Sequence, residues 1–110
     1  MKELRIGTAV SSKPGTAKGF LRVGDLPDGS PVDIPVLIAR GAADGPTLWI
    51  NGCVHGDEYC GAFIIHELFR SLDSGSLRGT IIALPVLNLT GFLKNQRMSP
   101  FEMMSHGDLN

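Results

Sequence analysis

The fold is decided by residues 47–87, which read TLWINGCVHGDEYCGAFIIHELFRSLDSGSLRGTIIALPVL. Apolar runs at residues 47–50 and 80–87 open and close this segment, and both have the pattern of strands buried on both faces of a parallel sheet. Between them, residues 58–72 repeat apolar side chains at three- and four-residue spacing, which predicts a well-buried helix. Strand, helix and strand together form a βαβ unit. We therefore expect an α/β fold whose mixed sheet is flanked by helices.

Residues 1–40 predict β structure that precedes this unit. The dipeptide Asp28-Gly29 indicates a tight turn between two strands. Pro35 lies inside the apolar run that follows, which indicates an edge strand or a bulge because proline cannot donate a hydrogen bond to a ladder. Residues 41–46 are predicted to form another turn. The chain is thus expected to divide into a β-rich N-terminal segment, residues 1–40, and the first part of an α/β domain, residues 41–110.

The composition argues against several classes of protein. The 110 residues are 43% hydrophobic, which suits one small packed domain rather than a disordered chain. The net charge is -1 with both signs mixed along the chain, so nothing indicates binding to nucleic acid. No apolar run is long enough to cross a membrane, and the first residues do not resemble a signal peptide, so we predict a cytoplasmic protein. The two cysteines do not indicate a disulfide scaffold.

The loop that follows the first apolar strand carries the residues suited to chemistry. His55 and Glu58 lie three positions apart, so both side chains can face one point, and zinc accepts imidazole nitrogen and carboxylate oxygen. Gly56 gives the backbone between them room to bend. Two simpler interpretations stay open: His55 is a hydrogen-bonded loop histidine, and Asp57 and Glu58 are acids at the start of a helix, where negative charge is favoured.

Six short motifs in this sequence follow one another in the order and at the spacing found in a known family of proteins. They are Gly45-Pro46-Thr47-Leu48-Trp49-Ile50, Val54-His55-Gly56-Asp57-Glu58, Leu77-Arg78-Gly79-Thr80, Pro85-Val86-Leu87-Asn88, Arg97-Met98-Ser99-Pro100 and Asp108-Leu109-Asn110. Together they resemble the succinylglutamate desuccinylase/aspartoacylase family, within the zinc carboxypeptidase-like group. The resemblance implies that residues 41–110 are the first part of a zinc-hydrolase catalytic domain. It implies hydrolysis of the amide of an N-acyl amino acid, or a related small amide, by a metal-activated water.

The resemblance also implies roles for individual residues. His55 and Glu58 match the first two zinc ligands, and Arg97 matches a catalytic arginine that binds substrate near the metal. Asn110 matches an asparagine that contacts substrate. Asn88 matches the asparagine of an Asn-Pro pair, from which this chain departs because the next residue is leucine. Arg97 as a plain solvated arginine stays the alternative.

The third zinc ligand and the general base of the family have no matching position in this sequence. His106 is a loop histidine that does not match the third ligand. We therefore expect the chain by itself to be inactive and to be the N-terminal part of a longer enzyme. The alternative is a non-catalytic remnant or binding module with weak metal affinity. A phosphate-binding domain fits poorly, because the glycines after the first strand follow neither a Walker A nor a dinucleotide pattern.

The remaining side chains near these motifs have structural interpretations. Cys53 is predicted to be a buried small hydrophobic residue rather than a metal ligand. Cys60 and His66 are predicted to pack from the helix, and Trp49 is predicted to lie in the core.

Overall fold

The computed structural model describes residues 1–100, which form strands and two helices. In chain order the elements are β1 Leu4–Ile6, β2 Ala9–Ser11, β3 Gly15–Asp25, β4 Pro31–Arg40, β5 Ala43–Asn51, α1 Cys60–Ser71, β6 Arg78–Leu84 and α2 Leu89–Leu93. Strands β1 and β2 form a small pair, and the other four form one sheet in the order β3-β4-β6-β5.

The larger sheet is mixed, as the sequence predicts. Strand β4 runs antiparallel to both β3 and β6, whereas β5 runs parallel to β6. Helix α1 connects β5 to β6 along the chain, so these three elements are the expected βαβ unit. Because β4 pairs with β6, a single sheet continues across residue 40 and joins β3 and β4 to the βαβ unit.

The core lies on one face of the central strands. Alternate side chains of β4 are buried and pack with the end of β6 and with one residue of β2. The buried cluster consists of Ala9, Ile34, Val36, Ile38, Ile82 and Leu84. Burying branched aliphatic side chains in this way is the main source of stability in a small sheet domain.

Strand β4 differs from the expectation that Pro35 marks an edge strand or a bulge. The strand is interior, and Pro35 pairs with Phe20 of β3. The missing N–H is tolerated because the ladder between β4 and β6 begins only at Leu37, two residues later. The irregularity in register falls instead on β3, between Arg22 and Gly24.

The predicted burial of β5 and α1 is wrong for this part of the chain. Strand β5 is at the edge of the sheet, where Leu48 is 55% exposed and Trp49 is 46% exposed. On α1 only Ala62 and Ile65 are buried, whereas Phe63 is 71% exposed. The apolar pattern of β5 and α1 is typical of elements that are buried on all sides. Within residues 1–100, however, no strand lies beyond β5 to cover them. Two further residues, Cys60 and His66, are also exposed rather than packed.

Three element boundaries also differ from those expected. Strand β5 begins at Ala43, inside the predicted turn, and its register with β6 shifts before Thr47. Helix α1 begins at Cys60, two residues after the predicted start. Residues 89–93, expected to contain no regular element from Gly91 onward, include the short helix α2. In the described part of the chain, neither helix is long enough and apolar enough to span a membrane.

Candidate functional site

The loop after β5 lies beside the segment after β6, because backbone hydrogen bonds continue past both strands. Gly52 N donates to Leu84 O at 2.8 Å, and Leu87 N donates to Gly52 O at 2.9 Å. Asn88 N then donates to Cys53 O at 3.0 Å. The carboxyl ends of two neighbouring parallel strands are therefore joined, and ligands of open α/β sheets bind at such ends.

His55 and Glu58 are in direct contact in this loop. His55 Nδ1 lies 2.9 Å from Glu58 Oε2, and Glu58 N donates to His55 O at 3.1 Å. The His55 side chain is 9% exposed, whereas that of Glu58 is 61% exposed. One ligand candidate is thus held inside the protein while the other faces solvent. Glu58 precedes α1 instead of lying in its first turn, because the N-cap of the helix is Tyr59.

His55 and Glu58 present the atom types that zinc binds, and these atoms lie at hydrogen-bond distance from each other. Zinc bonds to histidine nitrogen and carboxylate oxygen are roughly 2.0–2.2 Å long, so two ligands at a tetrahedral angle lie about 3.3 Å apart. The 2.9 Å between His55 Nδ1 and Glu58 Oε2 is close to that value. Within residues 1–100, however, no group of three or more His, Cys, Asp or Glu side chains could hold a metal. His55 and Glu58 are therefore two candidate ligands, and the described residues bring no third His, Cys, Asp or Glu side chain to them.

Arg97 approaches the same carboxylate from a different loop. Its Nη1 lies 3.5 Å from Glu58 Oε1, and its side chain is 49% exposed. The backbone carbonyl of Arg97 accepts hydrogen bonds from Gly56 N at 3.0 Å and from Asn88 Nδ2 at 3.2 Å. The structure therefore brings together three of the predicted site residues, His55, Glu58 and Arg97. The fourth, Asn110, lies outside the described residues, as does His106.

Gly56 is essential to this arrangement for a reason that differs from the flexibility expected of it. A Cβ atom at this position would lie 2.2 Å from Gln96 O, 2.2 Å from Gly91 C and 2.5 Å from Phe92 N. All three are backbone atoms, which cannot turn aside as a side chain can. Glycine is therefore required by the close approach of the His55 loop to α2 and to the segment before Arg97.

The thiol of Cys53 contacts the backbone of the loop that carries His55. Cys53 is 4% exposed, as expected for a buried small residue, and has a φ of 48°, which is uncommon outside glycine. Its thiol donates to His55 O at 3.2 Å. Burial raises the pKa of the Cys53 thiol, and the negative charges of Asp57 and Glu58 raise it further. The thiol therefore stays protonated and able to donate.

Asn88 and Tyr59 contribute to the site in ways that the sequence did not indicate. Asn88 is 3% exposed and its side chain caps α2. The Tyr59 ring packs edge-on against Phe92, with ring centroids 5.6 Å apart, and the Tyr59 hydroxyl donates to Asn95 Oδ1. An asparagine placed three residues before Gly91, directly after a strand, is the signal that would have predicted the cap.

Known proteins resemble this chain in sequence and in fold. Residues 44–110 match the model of the succinylglutamate desuccinylase/aspartoacylase catalytic domain. An N-alpha-acetyl-L-2,4-diaminobutyric acid deacetylase of Halomonas elongata is 33% identical over 99 residues, covering 87% of this chain and 28% of that protein. The chain therefore spans under a third of the length of this relative.

Solved structures give the same result. A succinylglutamate desuccinylase/aspartoacylase from Rhodobacter sphaeroides superimposes with a TM-score of 0.73 at 30% identity, covering 84% of this chain and 29% of that one. The product-bound ectoine utilization protein EutE from Ruegeria pomeroyi superimposes with a TM-score of 0.71 at 32% identity, covering 81% of this chain and 28% of that one. The chain belongs to the succinylglutamate desuccinylase/aspartoacylase family.

Proposed function

We propose that this chain supplies part of the active site of a zinc-dependent deacylase that hydrolyses the amide of an N-acyl amino acid or a related small amide. The observation that carries the proposal is the convergence of His55, Glu58 and Arg97, with Glu58 in contact with both of the others. The N-acetylated amino acid in the name of the Halomonas elongata relative supports this class of substrate.

His55 and Glu58 are the residues that would hold the metal. When bound, zinc lowers the pKa of a coordinated water and polarises a carbonyl oxygen. The buried position of His55 restricts the direction of its ring, and the exposed position of Glu58 makes its carboxylate accessible from solvent. A third ligand and a general base are expected from residues beyond those that the structure describes.

Arg97 is proposed to bind the substrate and to stabilise the charge that develops on it. A guanidinium is planar and offers paired N–H donors, so it can bind a substrate carboxylate or a polarised carbonyl oxygen with two hydrogen bonds. Its side chain is about half exposed at 49%, so a small molecule in solution can approach it. Asn110 is proposed as a second substrate contact on the basis of the family motif alone.

Zinc content and activity of the intact protein test the metal site. The protein is purified, its bound zinc is counted by atomic absorption, and release of a free amine from N-acetylated amino acids is followed. His55→Ala and Glu58→Gln are expected to lose bound zinc and to lower kcat/KM at least a hundredfold. Glu67→Gln is the matched control, because Glu67 is as exposed as Glu58, at 62% against 61%, and also lies near an arginine. Full zinc content in His55→Ala would contradict the proposal.

Arg97→Ala tests the substrate role separately from the metal. We expect zinc content to remain that of the unsubstituted protein while kcat/KM falls at least tenfold, because a charge-assisted contact with substrate is lost. Arg70→Ala is the control, since Arg70 is an exposed arginine on α1 that pairs with Glu67 and lies outside the site. Equal activity of Arg97→Ala and Arg70→Ala would show that Arg97 is only a solvated side chain.

A binding module with weak metal affinity is the second candidate. It is favoured by the absence, within residues 1–100, of any group of three or more His, Cys, Asp or Glu side chains that could hold a metal. It predicts zinc that is removed by dialysis and no amine release from any N-acetylated amino acid. Tightly held zinc together with hydrolysis would exclude it.

A further inference from the structure

The carbonyl oxygen of Arg97 accepts hydrogen bonds from two different segments of the site. It accepts one hydrogen bond from Gly56 N, at 3.0 Å, and a second from Asn88 Nδ2, at 3.2 Å. Gly56 lies between the two metal ligand candidates, and Asn88 directly follows the segment that continues β6. The Arg97 backbone is therefore tied both to the loop that carries the ligands and to the end of the sheet.

All the polar atoms of Asn88 are engaged in hydrogen bonds. Its backbone N–H donates to Cys53 O at 3.0 Å, and its backbone carbonyl accepts from Phe92 N at 2.9 Å. Its Oδ1 accepts from Gly91 N at 3.1 Å, and its Nδ2 donates to Arg97 O. The residue is 3% exposed. A buried amide whose oxygen and nitrogen are both hydrogen-bonded has one preferred orientation, because turning it would leave polar atoms unpaired.

The contact between the Arg97 guanidinium and Glu58 cannot hold the arginine in place by itself. It is 3.5 Å long, and the two side chains are 49% and 61% exposed. Exposed ion pairs contribute little, since water screens them and two long side chains must be ordered. The two hydrogen bonds to the Arg97 carbonyl add a backbone anchor to this contact.

We infer that Asn88 is a positioning residue of the proposed deacylase site: it holds the Arg97 carbonyl against Gly56 and so sets the guanidinium beside Glu58. The inference rests on the proposed function, because it has Asn88 position the side chain that is proposed to bind the substrate, Arg97. The simpler role for Asn88 is to cap α2 through Oδ1. That role uses a different atom of the same amide, so the two can be separated.

The first experiment measures hydrogen bonding without relying on activity. Asn88→Ser removes the amide donor and keeps an oxygen that can cap α2, since serine is a favoured N-cap residue. Amide hydrogen exchange is compared for Gly56 and Gly91 in the intact protein. We expect exchange at Gly56 to become about fivefold faster, the change that corresponds to one lost hydrogen bond. Exchange at Gly91 should change less than twofold. Equal acceleration at both amides, or none at Gly56, would overturn the inference.

The second experiment asks whether the lost contact acts through Arg97. In the intact protein Asn88→Ser should lower kcat/KM about tenfold with zinc content unchanged, and the same substitution in an Arg97→Ala background should have no further effect. Multiplying losses would show a general structural role and overturn the inference. Thr90→Val is the control, because it removes a hydrogen bond to Ser99 from the same region without touching Arg97.

A second variant covers the case in which Asn88→Ser does not fold. Asn88→Asp keeps the size of the side chain and the capping oxygen but replaces the donor with an oxygen that faces the Arg97 carbonyl. It should give the same selective change at Gly56. If the unsubstituted protein hydrolyses no N-acetylated amino acid, the proposed function fails. The comparison of hydrogen exchange at Gly56 and Gly91 still decides whether Asn88 holds the Arg97 backbone in place.

Discussion

Gly56→Ala is expected to separate the two loops that build the site. The added methyl group would lie 2.2 Å from Gln96 O and from Gly91 C, and 2.5 Å from Phe92 N. Every one of these atoms belongs to backbone, so the loops must move apart. The movement would also lengthen the hydrogen bond from Gly56 N to Arg97 O, now 3.0 Å.

The expected loss of stability follows from the steric clash of the added methyl group and from the weakened hydrogen bond. Inserting a methyl group into a well-packed region costs about 1–3 kcal/mol, and one broken hydrogen bond costs about 1 kcal/mol. We therefore expect the free energy of unfolding to fall by about 3 kcal/mol. The same displacement moves His55 and Glu58 away from Arg97, so zinc affinity and activity of the intact protein should fall as well.

Urea unfolding followed by circular dichroism measures this change. The matched control is Gly24→Ala, because a Cβ atom at Gly24 meets nothing within 4 Å. That substitution should alter the free energy of unfolding by about 0.5 kcal/mol or less, as exposed changes usually do. If Gly56→Ala is as stable as Gly24→Ala, the close approach of the loops does not govern the site and the reasoning above is refuted.

The cysteines and the helix provide two further tests in the 110-residue chain. Cys60 is exposed and should react with a thiol reagent at pH 8 well before Cys53, whose thiol is buried and has a raised pKa. Labelling of Cys53 should increase as the pH is raised, because the thiolate is the reactive form. Equal labelling of the two cysteines, measured by mass spectrometry, would contradict the burial of Cys53. Ile65→Ala should cost about 2–5 kcal/mol of unfolding free energy, since the side chain is 2% exposed. Ile64→Ala should change it by about 0.5 kcal/mol or less, because Ile64 is 67% exposed, and similar costs for the two would refute the assignment of the buried face.

The sequence predicts most of the sheet correctly because local patterns determine it. The second apolar run became β6, whose residues Ile81, Ile82 and Leu84 are buried. The βαβ unit follows from the spacing of two apolar runs around a helical pattern. The exposure of Trp49 could not be predicted in the same way. Burial depends on what lies beside a strand, and that is a property of the whole assembly rather than of the strand itself.

The candidate site could be predicted in part. The spacing of His55 and Glu58 indicates a ligand pair, and the structure places their side chains in contact. The position of Arg97 beside Glu58 was available only from the family resemblance, since their separation along the chain carries no local pattern. The hydrogen bonds of Asn88 to Arg97 O and Cys53 O were not predicted, because they join loops that are distant in sequence.

The exposed edge of β5 favours association between copies of this chain in solution. Within residues 1–100, β5 is the last strand of the sheet, and it presents Leu48 and Trp49 to solvent. An edge strand with apolar side chains is a template on which another copy of the same strand can pair. The 110-residue chain should therefore associate as its concentration rises. A lysine at position 48 would oppose that pairing through charge repulsion, while leaving the buried face of the sheet unchanged.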